Sequence, residues 1–236
     1  MVLSLESGAR LVKIPYFLRQ MPSSTTILTP HIAACEELIE YMSPVVSMYS
    51  HGIETKEELK NLWEIDKLAY GDCSLEFQPF LEWWTRYPYG SRNLMIGVQI
   101  VASIGIYPIA KEQAEALVCG QIKEADLIPV ALSECEAYGA SNWYCSGIVI
   151  VPQLQNKGVL KTLLQIGIGS WESTGHIRYP LNLLGLAEYE IGEKLLKKFG
   201  FSKLMDRVEM PDNCDLYGVE IKSREDLEAM RQARGF

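Results

Sequence analysis

Cysteine and histidine are few and badly spaced for metal chemistry. The six cysteines, at 35, 73, 119, 135, 145 and 214, form no C-x-x-C pair, and the three histidines, at 31, 51 and 176, lie far apart. Zinc-ligand spacing is absent, so no metal site is expected. A chain of 236 residues can bury a core without disulfide staples, which points to reduced thiols and a cytoplasmic setting. No run of about 18 apolar residues marks a membrane span. The start, Met1-Val2-Leu3-Ser4-Leu5-Glu6, lacks the basic region and long apolar run of a signal peptide. An excess of basic residues is lacking as well. The formal net charge is −8 and the pI about 5.0. That argues against nucleic acid and membrane partners and is compatible with a cationic amine. No internal repeat or low-complexity segment breaks the chain, so residues 1–236 are expected to form one domain behind a lead segment, 1–23.

What is present is a regular alternation of elements. A short strand is expected at 25–28 and a helix over 32–42, ending before Pro44. Thr55-Lys56-Glu57-Glu58 has capping-box form and opens a helix through Leu59, Leu62, Trp63, Ile65, Asp66 and Ala69. An aromatic-rich helix over 77–87 stops at Pro88. Residues 93–99 and 100–109 read as an antiparallel pair of strands, followed by a helical pattern over 111–125. A strand over 144–151, a helix over 161–171 and a strand over 178–187 form a parallel step with a right-handed crossover. A helix over 191–199 ends at Gly200, and Val208, Met210, Tyr217, Val219 and Ile221 form a closing hairpin around Pro211-Asp212-Asn213. A last helix covers 224–234. The expected class is mixed α/β.

The most informative stretch runs from Ile148 to Leu164. A β-branched run stops at Pro152, a polar loop with Gly158 follows, and an amphipathic helix begins. The first N–H groups of a helix have no internal partner and sit at the positive end of its dipole. Such a loop is a ready phosphate site.

The segment Val151 to Leu164, with Gln155-Asn156-Lys157-Gly158-Val159-Leu160, resembles the acyl-CoA-binding motif of the GNAT-type N-acetyltransferase superfamily, Gln/Arg-x-x-Gly-x-Gly/Ala with Val-x-Pro just before it. Leu160 stands where a small residue is usual. A second stretch, Tyr189-Glu190-Ile191-Gly192-Glu193-Lys194-Leu195-Leu196-Lys197-Lys198-Phe199-Gly200-Phe201, is similar to the family's Asn-x-x-Ala-x-x-Leu-Tyr-x-Lys-x-Gly-Phe in the same register. Leu195, Lys198, Gly200 and Phe201 agree. Tyr189 replaces the Asn, and Leu196 stands where a tyrosine often serves as proton donor.

The resemblance implies a mostly antiparallel central sheet with a splayed parallel strand pair, flanked by helices. It implies acetyl-CoA as cofactor. Backbone groups of Ile148, Ile150 and Val151 would pair with the pantetheine amides. The N–H groups of Lys157, Gly158, Val159, Leu160 and Lys161 would meet the pyrophosphate beside Gln155 and Asn156.

Acyl transfer to an amine has its own needs. An amine with pKa near 10.4 is only about one part in 10³ neutral at pH 7, so a base helps. Glu134 and Glu136, just before the fourth strand, are the candidate bases. Tyr189 is the candidate acid in place of Leu196, and an N–H near Ile148 the candidate oxyanion donor. Trp84 and Tyr107, with Trp83 and Tyr87, would wall the acceptor side, and Cys145 on the fourth strand is a substrate-site candidate that could carry an acyl group. The leading expectation is an N-acetyltransferase acting on a primary amine of a small molecule or peptide. An N-acyl amino acid synthase-like enzyme using long-chain acyl-CoA or acyl carrier protein, or a non-catalytic CoA-binding module, stays open. So does a homodimer.

Overall fold

The computed structural model describes residues 48–71, 74–97 and 99–234. The strand expected at 25–28 and the helix at 32–42 lie outside the described residues. Seven strands form one sheet: β1 (Met48–His51), β2 (Ser91–Ile96), β3 (Gln99–Pro108), β4 (Ala140–Ile150), β5 (Ile177–Ala187), β6 (Ser202–Met205) and β7 (Asp215–Ile221). Their order is β1-β2-β3-β4-β5-β7-β6. Every neighbouring pair is antiparallel except β4 and β5, which are parallel. The sheet is thus the mixed, mostly antiparallel one that was expected.

Among the described residues seven α-helices accompany it: α1 (Lys56–Tyr70), α2 (Phe77–Arg86), α3 (Lys111–Val118), α4 (Leu132–Tyr138), α5 (Val159–Thr174), α6 (Glu190–Lys198) and α7 (Arg224–Arg234). Side chains alternate along a strand, so each strand serves two faces. Ile104, Ile106, Cys145 and Ile148 turn toward α5, α6 and α7. Ser103, Gly105, Gly147 and Val149 turn toward Leu62 and Asp66 of α1 and Phe80 of α2. Among the described residues, no helix is long and apolar enough to cross a membrane.

Local signals explain most element ends. Thr55 caps α1: its hydroxyl accepts from the Glu58 N–H at 3.1 Å, while the Glu58 carboxylate accepts from the Thr55 N–H at 3.3 Å. The Gly200 N–H closes α6 on the Lys197 carbonyl, with φ at +84°.

Three expectations need correction. The helix expected over 111–125 stops at Val118, because Gly120 turns left-handed at φ +65° and a 3-10 turn, Glu124–Asp126, follows. The fourth strand begins at Ala140, not 144, and the helix α4 stands before it. The closing hairpin uses Ser202–Met205 as its first arm, not Val208 and Met210. Ser202, Lys203 and Leu204 are exposed on this edge strand, so it carries little apolar signal.

Candidate active site

The site begins with a bulge. Gly105 pairs with Gly147 and Ile106 with Cys145, which leaves Ser146 as an extra residue in β4. A Cβ on Gly105 would overlap the Ser146 hydroxyl, so the glycine makes room for that side chain. A bulge bends its strand and strengthens its twist. Accordingly β4 stays paired with β3 to Ile150 but with β5 only as far as Cys145 and Gly185. Beyond that apex the parallel pair splays, and residues 146–150 of β4 have no β5 partner.

Polar backbone groups on the β4 side of the splay are met by side chains. The Ile148 N–H donates to the Tyr70 hydroxyl at 3.0 Å, and that hydroxyl donates to the Ile148 carbonyl at 2.9 Å. The Ile150 carbonyl accepts from the Gln155 amide at 3.0 Å. Tyr70 comes from the last turn of α1 and reaches across 78 positions of sequence. Burial pushes its hydroxyl well above the usual tyrosine range, so it stays protonated and keeps its donor capacity.

Asp66 stands one helical turn earlier on α1. Its Oδ2 accepts from the Ser74 hydroxyl at 2.6 Å. A Cβ placed on Gly147 would lie 3.4 Å from the Tyr70 ring and 3.6 Å from Asp66 Oδ1. Both side chains therefore rest on the β4 backbone beside the bulge. Burial raises the Asp66 carboxyl to about 6, against the opposing pull of Ser74 and Lys67. A cavity of about 20 Å³ adjoins it, lined also by Ser91, Ser103 and Ser146. That volume suits one water, and the hydroxyls are suitable partners for it. Deeper on the same side, Glu124 shares a hydrogen bond with the Tyr144 hydroxyl. Burial raises Glu124 to about 8, and Asp66 and Asp212 add repulsion.

The far end of the splay is a helix N-terminus. Gly158 takes φ +79° and caps α5 without any side-chain hydrogen bond. A Cβ there would meet nothing within 4 Å, so the approach to the first N–H groups is open. Asn156 also adopts positive φ, at +61°. Lys157 and Lys161 are exposed, while Val159 is buried. The Leu160 side chain packs against the main core, so its bulk is turned away from the loop.

The remaining sequence candidates fall in different places. Ile148 and Ile150 lie on β4 at the splay, whereas Val151, just past β4, donates its N–H to the Val101 carbonyl of β3 and accepts from the Leu154 N–H, so its backbone is not free to pair with a pantetheine. Tyr189 stands at the N-cap of α6, just past the end of β5, and is 41% exposed. Glu134 and Glu136 sit on α4, exposed, at the end of β4 opposite the splay. The eight residue steps along β4 from Ala140 to Ile148 span roughly 26 Å, which puts these glutamates far from the splay. Trp84 is away from the site too: its indole N–H donates to the Ile53 carbonyl at 3.2 Å, within a separate small core. Tyr107 is fully buried, with its hydroxyl on Ser91 Oγ at 2.9 Å and its ring 5.1 Å from Trp83, so it supports the floor. Burial pushes the Cys145 thiol up to about 12, which removes it as a nucleophile at neutral pH.

Sequence reasoning missed Asp66 and Tyr70. The signal was an aspartate on the apolar stripe of α1, among Leu59, Leu62 and Ile65, all of them buried.

No protein-family model and no curated protein matches the sequence. Solved structures do. A GNAT-like decarboxylase, GphF, in complex with isobutyryl-CoA, is similar over 73% of this chain and 98% of its own, at 14% identity and a TM-score of 0.51. The loading GNAT-like domain of CurA from Lyngbya majuscula is similar over 73% of this chain and 97% of its own, at 14% identity and a TM-score of 0.50. The chain has the GNAT fold.

Proposed function

We propose that the protein is an acyltransferase that moves an acyl group from a coenzyme A thioester to a primary amine of a small molecule or peptide. One observation carries the reading: a stretch of β4 without a β5 partner leads from the splay apex to a sterically open helix N-terminus with no side-chain cap. The length suits an extended pantetheine, and the helix end suits a pyrophosphate. That a GNAT-like decarboxylase of the same fold was solved with isobutyryl-CoA supports a CoA ester here. In this reading Gln155, Asn156, Lys157, Gly158, Val159, Leu160 and Lys161 hold the pyrophosphate end, and Ile148 and Ile150 the pantetheine. Acetyl-CoA is the simplest donor. A cytoplasmic setting fits the cysteine pattern.

The chemistry follows from the residues beside the bulge. The neutral amine nitrogen attacks the thioester carbonyl, and its oxygen becomes an oxyanion. The Ile148 N–H and the Tyr70 hydroxyl supply two converging donors for that oxygen once Tyr70 releases the N–H. Asp66 takes the amine proton, directly or through a water in the small cavity, because a carboxyl near 6 is largely ionised at neutral pH. The C–S bond then breaks, the amide forms, and the thiolate leaves and takes up a proton. The Asp66 carboxylate on this face favours a cationic acceptor. In this reading Tyr189, at the rim, packs on the entering cofactor.

Calorimetric titration with CoA and acetyl-CoA tests the reading. Saturable binding is expected in the wild type. Gly158→Asp, which sets a carboxylate against the pyrophosphate, is expected to abolish it. Equal affinity in both proteins would remove the loop from the site.

A further inference from the structure

On the sheet face opposite Asp66 lies a cavity of about 90 Å³, lined by the sheet, α5, α6 and α7. Every side chain around it is apolar or a cysteine. Its position relative to the splay is specific. Gly185 is the last β5 residue paired with β4. A Cβ there would lie 3.6 Å from both the Cys145 Cβ and the Leu196 Cδ2. Cys145, Leu196 and Ile148 all line the cavity. The void and the splay apex therefore share their walls.

Resting on the CoA reading above, we propose that this cavity receives the acyl tail of the donor, and that the preferred donor is a short acyl-CoA of about four carbons. Ile148 joins the two parts of such a ligand. Its backbone faces the splay, where a thioester carbonyl would sit, and its side chain faces the void. A chain leaving that carbonyl on the cavity side meets only apolar surface and strips no polar group of its water. Leu196 matters here, because a hydroxyl at that place would stand unpartnered in the same void. Size sets the chain length. A cavity of about 150 Å³ holds benzene, so about 90 Å³ holds a somewhat smaller guest. An acetyl methyl alone would leave most of the void empty, and a ten-carbon chain would not fit without opening α7.

The test is titration of the full chain with CoA and with acetyl-, isobutyryl- and decanoyl-CoA. Isobutyryl-CoA adds two carbons to acetyl-CoA and is expected to bind about tenfold tighter. Decanoyl-CoA is expected to bind more weakly than isobutyryl-CoA. Leu227→Phe and, separately, Met230→Phe fill the α7 wall, away from the splay. Each is expected to erase the isobutyryl advantage while acetyl-CoA binds as before; thermal melting verifies that each variant folds. Equal affinity for acetyl and isobutyryl esters in the wild type overturns the tail cavity and leaves the cofactor site standing. An isobutyryl advantage that survives in both folded variants overturns it too. No saturable binding of any CoA species overturns the cofactor reading beneath it.

Discussion

Replacing Tyr70 by Phe isolates the hydroxyl that meets both polar groups of Ile148. Two effects of opposite direction follow. In the resting protein the hydroxyl competes with an incoming thioester for the Ile148 N–H, at 3.0 Å. Removing a competitor worth about 1 kcal/mol net tightens binding of an acyl-CoA by about fivefold. In the proposed reaction the same hydroxyl is one of two oxyanion donors, and losing one such donor lowers kcat by about 10²–10³. The ring remains, so packing against Gly147 is unchanged. The unliganded variant also leaves the Ile148 N–H and carbonyl without their partner, at a stability cost of about 1–3 kcal/mol. Single-turnover acyl transfer with a saturating amine measures the rate, and calorimetry with a non-reactive acyl-CoA analogue measures affinity. Tighter binding with slower chemistry is the expected signature. A Phe variant that turns over within about threefold of the wild type would show that Tyr70 only fills the splay, whatever its effect on affinity.

Other outcomes can be stated briefly. The pH–rate profile is expected to rise through about 6 as Asp66 ionises, and Asp66→Asn to lower the neutral-pH rate by about 10²–10⁴ and flatten that limb. A raised carboxyl binds its proton more tightly in the folded state, so its burial costs stability above the unfolded value. Asp66→Asn is therefore expected to raise the melting temperature at pH 7 and not at pH 3.5, and a matched change at both would refute the burial argument. Burial opposes ionisation of Asp215, but hydrogen bonds from Arg207 and Lys203 outweigh it and hold the carboxyl down to about 2. Its contribution is full above about pH 4 and is lost as pH falls through about 2, so the stability gap between wild type and Asp215→Asn should close over that window in acid titrations. A Cβ on Gly90 would overlap the Tyr107 ring, which is fully buried, so Gly90→Ala is expected to cost about 1–3 kcal/mol in urea unfolding.

The parts of this molecule that announce themselves in sequence are local. The β-branched run before Pro152, the glycine at 158 and the Thr55–Glu58 box each signal through neighbours a few positions apart, and each stands where the pattern put it. The splay itself depends on one extra residue in β4, and no periodicity distinguishes Ser146 from its neighbours. Tyr70 and Ile148 meet across 78 positions, a pairing set by how α1 lies on the sheet. Glu134 and Glu136 looked suitable by sequence distance from β4, yet a strand is long and carries its two ends far apart. Edge elements were the least legible: β1 has four residues and β6 is polar and exposed.

The Tyr70 contact has a bearing on how the protein survives without its ligand. A splayed strand is an interior edge, and an open edge is a template on which a foreign strand can add. Here the hydroxyl of Tyr70 and the amide of Gln155 already occupy three of the groups that such a strand would use. The molecule thus closes its own slot with side chains that deter another chain. Variants that strip both residues would be the ones to watch for self-association during expression.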